Sequence, residues 1–100
     1  MSVYKQKELI KLLKNSIVNK ECININDVIC EPYLVGTNVT KNTVLLVRIQ
    51  DSNEWKIIPL NEIYTIKPIE PVLRFKPHPE YNNIKQLFGW VKIKLEVYDN

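Results

Sequence analysis

The chain has 100 residues, a formal net charge of +3, 45% hydrophobic residues and 25% charged residues. That length makes one domain with one core, since halves would be too short to bury a core of their own, and the apolar-to-charged balance excludes a disordered polar chain. The charge lies far below that of a protein that coats DNA, and no apolar run approaches the ~20 residues needed to cross a bilayer.

In residues 3–18 the apolar side chains Leu9, Ile10, Leu13 and Ile17 recur at helical spacing while Lys7, Lys11 and Lys14 fall on another face. This predicts an amphipathic helix with Ser2 as its cap and Asn19 and Lys20 at its exit. Lysines spread through the segment exclude a signal peptide, and the lysine stripe reads first as the solvated face of a surface helix.

Strands are predicted at 22–25 and 28–34, joined at Asn26-Asp27. A two-residue turn there sets Ile23 opposite Cys30 and sends Cys22 to the other side of the sheet, which forbids a disulfide; a three-residue loop would change that register. Reduced thiols and a cytoplasmic location are expected. Pro32, which lacks an N–H, belongs at a strand edge, end or bulge, and the strand should stop near Gly36.

Residues 43–50 carry Val44 and Leu46 on one face and Leu45 and Val47 on the other, the pattern of a central strand covered on both sides. Asp51-Ser52-Asn53 turns the chain into a strand at 55–60, its antiparallel neighbour. A strand at 63–69 ends at Pro68 and Pro71. Pro71, Pro77, Pro79 and the single histidine, His78, then predict an extended connection over the surface, with His78 exposed. A helical turn is expected at 82–88. Residues 90–98 alternate Val91, Ile93, Leu95 and Val97 with Lys92, Lys94 and Glu96, which predicts a half-buried final strand. The expected fold is α+β, mainly β: one domain over residues 1–100, with the helix followed by a small antiparallel barrel-like sheet.

Catalytic constellations are missing. One histidine and two cysteines in a hairpin cannot supply a spaced zinc set. Two glycines cannot build a phosphate loop, and Ser2, Ser16 and Ser52 have no nucleophile signature around them. The carboxylates Glu31, Asp51, Glu54, Glu62, Glu70 and Glu80 are scattered. No enzyme activity, metal or cofactor is expected. What remains are Tyr33, Arg48, Trp55, Lys56 and Tyr64 on neighbouring strands, rings beside cations of the kind that stack on bases and meet phosphates. The plainer reading makes Tyr33 and Trp55 packing residues and Arg48 a solvated charge.

The run Glu31-Pro32-Tyr33-Leu34-Val35-Gly36, the apolar strand Val44-Leu45-Leu46-Val47, and Trp55-Lys56-Ile57-Ile58-Pro59-Leu60-Asn61-Glu62-Ile63 resemble the WYL domain in order and spacing. The helix Leu9 to Ile17 and the segment Pro79-Glu80-Tyr81-Asn82 are similar to parts of its small stand-alone relatives. The resemblance implies an Sm-like or SH3-like barrel and a role in sensing ligands, often nucleotides or nucleic acids, in bacterial or phage-borne regulators. This sequence departs from it in three places. The naming strand reads Leu45-Leu46-Val47, Lys56 stands where the family has arginine, and Glu62 replaces a second arginine, which weakens or reverses two anion clamps. The helix-turn-helix that precedes the domain in most members is not found before Val3, so the expectation is either a sensor acting through a partner or a diverged fold used for protein contact.

Two functional expectations follow. The leading one is a non-catalytic WYL-like module whose Tyr33, Arg48, Trp55 and Lys56 form a ligand-binding patch for a nucleotide or single-stranded nucleic acid. The alternative is a protein-interaction or homodimerisation module, without nucleic-acid binding, that pairs through the open edge of the final strand.

Overall fold

A computed structural model describes residues 5–97. The elements run α1 (Gln6–Asn19), β1 (Ile23–Ile25), β2 (Val28–Asn38), β3 (Thr43–Ile49), β4 (Trp55–Pro59), a 3-10 turn (Leu60–Glu62), β5 (Ile66–Pro68), α2 (Tyr81–Leu87) and β6 (Trp90–Glu96). The expected Ser2 cap, the helix start at Val3 and the end of the last strand at Tyr98 lie outside the described residues.

Leu9, Leu13 and Ile17 form the buried stripe of α1, joined by Ser16, while the lysines of the first turns stay in solvent. The helix ends at Lys20, which adopts the left-handed conformation at φ 55° so that its own amide bonds to Ile17 and the Glu21 amide reaches back to the Ser16 carbonyl. That double bond satisfies carbonyls the last turn would otherwise leave open.

All strand pairings are antiparallel, in the order β4-β3-β2-β1-β5, with β6 also on β2. Asn26 and Asp27 both have positive φ, and Ile23 lies opposite Cys30, as the two-residue turn predicts. β3 is central: Val44, Leu45, Leu46 and Val47 are all buried. The long β2 carries β3 on one edge and shares its other edge between β1 at its start and β6 at its end. Among the described residues β4, β5 and β6 each have one strand neighbour, so the sheet is open. No helix among them is long and apolar enough to cross a membrane.

Four local expectations need correction. β2 does not stop near Gly36 but runs to Asn38, because the missing Cβ at Gly36 lets β6 come close: a Cβ there would stand 2.8 Å from the Lys92 carbonyl oxygen and 2.9 Å from the Trp90 ring. The strand at 63–69 shrinks to Ile66–Pro68, since the Asn26 side chain accepts from the Tyr64 and Thr65 amides and donates to the Glu62 carbonyl, pinning the chain in a non-strand path. His78 is half-buried rather than exposed. Finally, β6 is barely covered, with Val91 64% and Ile93 37% exposed.

Candidate interaction surfaces

Glu31 and Arg48 sit opposite each other on β2 and β3, and Arg48 sits opposite Trp55 on β4, so strand pairing puts these three side chains on one face. The register shifts between Pro32 and Leu34, which leaves Tyr33 as the extra residue of a bulge; Pro32 is therefore where a residue without an N–H is tolerated. The Tyr33 hydroxyl donates to Glu31 Oε1 at 3.2 Å and accepts from the His78 amide at 2.9 Å, and Arg48 Nη1 stands 3.6 Å from the same Glu31 oxygen. Around the Tyr33 ring gather Trp55 at 4.8 Å, Tyr81 at 5.0 Å and Phe75 at 5.2 Å between centroids.

This arrangement ties down the proline-rich connection. Its backbone is held at one end by Cys22 to Leu73 and Phe75 to Lys20 hydrogen bonds, and at the other by the His78 amide on Tyr33. Burial is the main reason the Tyr33 hydroxyl is pushed far above its ordinary pKa, and the neighbouring Glu31 carboxylate adds to the shift. The ring is completely buried, so it offers no platform to a base.

The four residues read as a ligand patch therefore do not share one surface. Tyr33 lies in the core, Arg48 is drawn to Glu31, and Trp55 is half-buried against Tyr33. Lys56 is exposed, but alternation along β4 turns it to the face opposite Trp55. There it lines a cleft of about 320 Å³ with Ile25, Val28, Cys30, Ile49 and Ile58, whose rim also carries Glu54 and Glu62. Two carboxylates against one ammonium make that cleft a poor phosphate site.

Cys22 and Cys30 are both free and buried. Burial raises each thiol to about 11, Glu31 adding to the effect at Cys22 and Lys56 opposing it at Cys30, so neither is a nucleophile near neutral pH. Among the described residues no group of histidine, cysteine and carboxylate side chains is placed to hold a metal.

A second surface, weakly signalled in the sequence, is built by α1 and β6. Lys14, Ile17 and Val18 on the helix and Ile93, Lys94, Leu95 and Glu96 on the strand wall a groove of about 430 Å³. Val18 is 58% exposed at its lip. Glu96 is not free there: it accepts from the Tyr81 hydroxyl at 2.7 Å and pairs with Lys85. Trp90 is fixed over Gly36 and donates from Nε1 to the Lys85 carbonyl at 2.9 Å, so α2 anchors both ends of β6 while its outer edge keeps no strand partner among the described residues. The alternation of 90–98 hinted at a strand, but period-2 patterning cannot tell a covered apolar face from one left open for a partner. No protein-family model, no curated protein and no solved structure matches this chain.

Proposed function

We propose that this chain is a non-catalytic WYL-like module that acts by binding a protein partner through β6. One observation carries the reading: among the described residues β6 has a single strand neighbour, and its residues 91–94 are exposed. Unpaired N–H and C=O groups beside uncovered apolar side chains are the ingredients of strand addition. The element order, with a helix before hairpins and the Glu31-Pro32-Tyr33 run at the centre of the buried cluster, supports the WYL-like part, and an Sm-like or SH3-like curl of the strands belongs to it. Two unpaired buried thiols fit the reducing cytoplasm.

The nucleotide or nucleic-acid reading keeps one supporting feature, the half-buried Trp55 ring with His78 at 6.3 Å and Arg48 across the strand pair. Against it stand the burial of Tyr33, the Glu31–Arg48 pair and the separation of Lys56. Titrating the chain with labelled single-stranded RNA and DNA at two ionic strengths separates the two readings. The interaction module predicts no binding at low salt; tight, salt-sensitive binding abolished by Trp55→Ala would replace it with the nucleic-acid reading.

A further inference from the structure

We infer that the groove between α1 and β6 receives an acidic, extended segment of a partner protein, added as a strand along β6. This inference rests on the interaction-module reading above and adds to it the chemistry of the partner. The groove is lined by the apolar residues Ile17, Val18, Ile93 and Leu95 and by two lysines, Lys14 on the helix and Lys94 on the strand. Lys11 and Lys7 continue the helix stripe, three residues before Lys14 and four before Lys11, and Lys92 is exposed two residues from Lys94. Among the described residues the one carboxylate lining the groove, Glu96, already accepts from Tyr81 and Lys85. Among the described residues the groove side chains left to an incoming segment are thus apolar or cationic, and Lys14 and Lys94 have no ion-pair partner there.

A strand laid on an open edge between a sheet and a helix makes its hydrogen bonds through the main chain and takes its specificity from alternate side chains. The register sets Leu95 opposite Val35 and Ile93 opposite Gly36, on opposite faces of β6, with Lys94 as the extra residue between them, so apolar residues of the segment would meet Val18 and Leu95 on one face and Ile93 on the other while its carboxylates reach Lys14 and Lys94. A second copy of this chain fits less well. Antiparallel pairing of two β6 strands about Ile93 sets Lys92 opposite the Lys94 of the other copy and pairing about Lys94 sets that lysine opposite itself, both destabilising, while pairing about Leu95 sets Lys94 opposite a Glu96 that Tyr81 and Lys85 already hold.

The test uses the full chain, labelled and applied to an array of random heptapeptides, with the doubly substituted Lys14→Glu/Lys94→Glu chain and a Lys56→Glu chain beside it. Both substituted lysines in the groove are exposed or partly exposed, so the fold is expected to survive, and circular dichroism checks that it does. The expected result is enrichment of Asp and Glu alternating with apolar residues, affinity about tenfold or more weaker for the double variant, and no change for Lys56→Glu. Enrichment of neutral or basic peptides that still map to β6 overturns the acidic partner and leaves the interaction module standing. Binding by no peptide, with amide spectra of β6 unmoved, overturns both. Acidic peptides that bind the double variant as well as the parent place the site elsewhere and overturn the groove.

Discussion

Replacing Tyr33 with phenylalanine removes one oxygen from the centre of the buried cluster while keeping the ring that packs against Trp55, Phe75 and Tyr81. Two hydrogen bonds go with it: the one to Glu31, a charged acceptor, and the one from the His78 amide. A neutral hydrogen bond contributes about 1 kcal/mol and one to a charged group about 1.5–3 kcal/mol, and the buried Glu31 carboxylate is then left with Arg48 at 3.6 Å as its remaining charged partner. The expected loss is about 2.5–4 kcal/mol. For a domain of this size 1 kcal/mol shifts Tm by about 5 °C, so the midpoint should fall by about 12–20 °C. Thermal unfolding followed by circular dichroism measures this, with Tyr64→Phe, at an exposed position, as a control that should not move. The double cycle with Glu31→Gln should show a coupling of at least about 0.5 kcal/mol, because the two groups touch. A midpoint within about 2 °C of the parent, or strict additivity in the cycle, refutes the claim that this hydroxyl joins the sheet to the proline-rich connection.

Other consequences are read more simply. Asn26→Gly keeps the positive φ but deletes three side-chain hydrogen bonds to residues 62–65, and should lower stability by about 2 kcal/mol or more in urea unfolding. Lys20→Gly relieves a left-handed non-glycine residue at the end of α1 and should raise the free energy of unfolding in urea titrations by up to about 1 kcal/mol. Leu13→Ala, fully buried, should cost about 2–5 kcal/mol, whereas Leu12→Ala, 42% exposed, should cost far less. The thiols add a pH effect. Their folded values near 11 exceed the ordinary value near 9, so the unfolded chain loses its protons first; stability is complete below pH 9 and falls as pH rises from 9 to about 11. In the same sense an aromatic disulfide reagent at pH 8 should leave both cysteines untouched until urea exposes them.

The parts of the fold that the sequence announced are those set by local chemistry. Leu9, Leu13 and Ile17 mark a helix by spacing alone, and Asn26-Asp27 fixes the Ile23 to Cys30 register because both residues tolerate positive φ. Val44 to Val47 are apolar on both faces because the strand is covered on both. What escaped depends on contacts between distant segments. Nothing near Tyr64 reveals that Asn26, dozens of positions earlier, will capture its amide, and nothing near Gly36 reveals that β6 will press against it. The candidate patch failed as a single surface for a related reason. Strand pairing sets Arg48 beside Trp55 and the bulge turns Tyr33 toward them, but burial and the Glu31 counter-charge are tertiary facts. Lys56, one residue from Trp55, turns to the other face by the strand's own alternation, a distinction that was available from the period-2 rule.

Gly36 offers a further handle on the last strand. Gly36→Ala places a methyl group against the Lys92 carbonyl, which is backbone and cannot swing aside, so β6 should loosen. In a Trp55→Phe background the remaining Trp90 fluorescence should shift to the red; an unchanged spectrum would mean that β6 is not held against β2 as described.

The most direct measurement is amide hydrogen exchange on the chain alone and saturated with the tightest-binding array peptide. Slowed exchange in Trp90–Glu96 and along the Lys14 to Val18 flank of α1, with Trp55 and Lys56 unaffected, is the predicted outcome. Protection gained around Trp55 or Lys56 while the last strand stays as open as before would contradict recognition through β6.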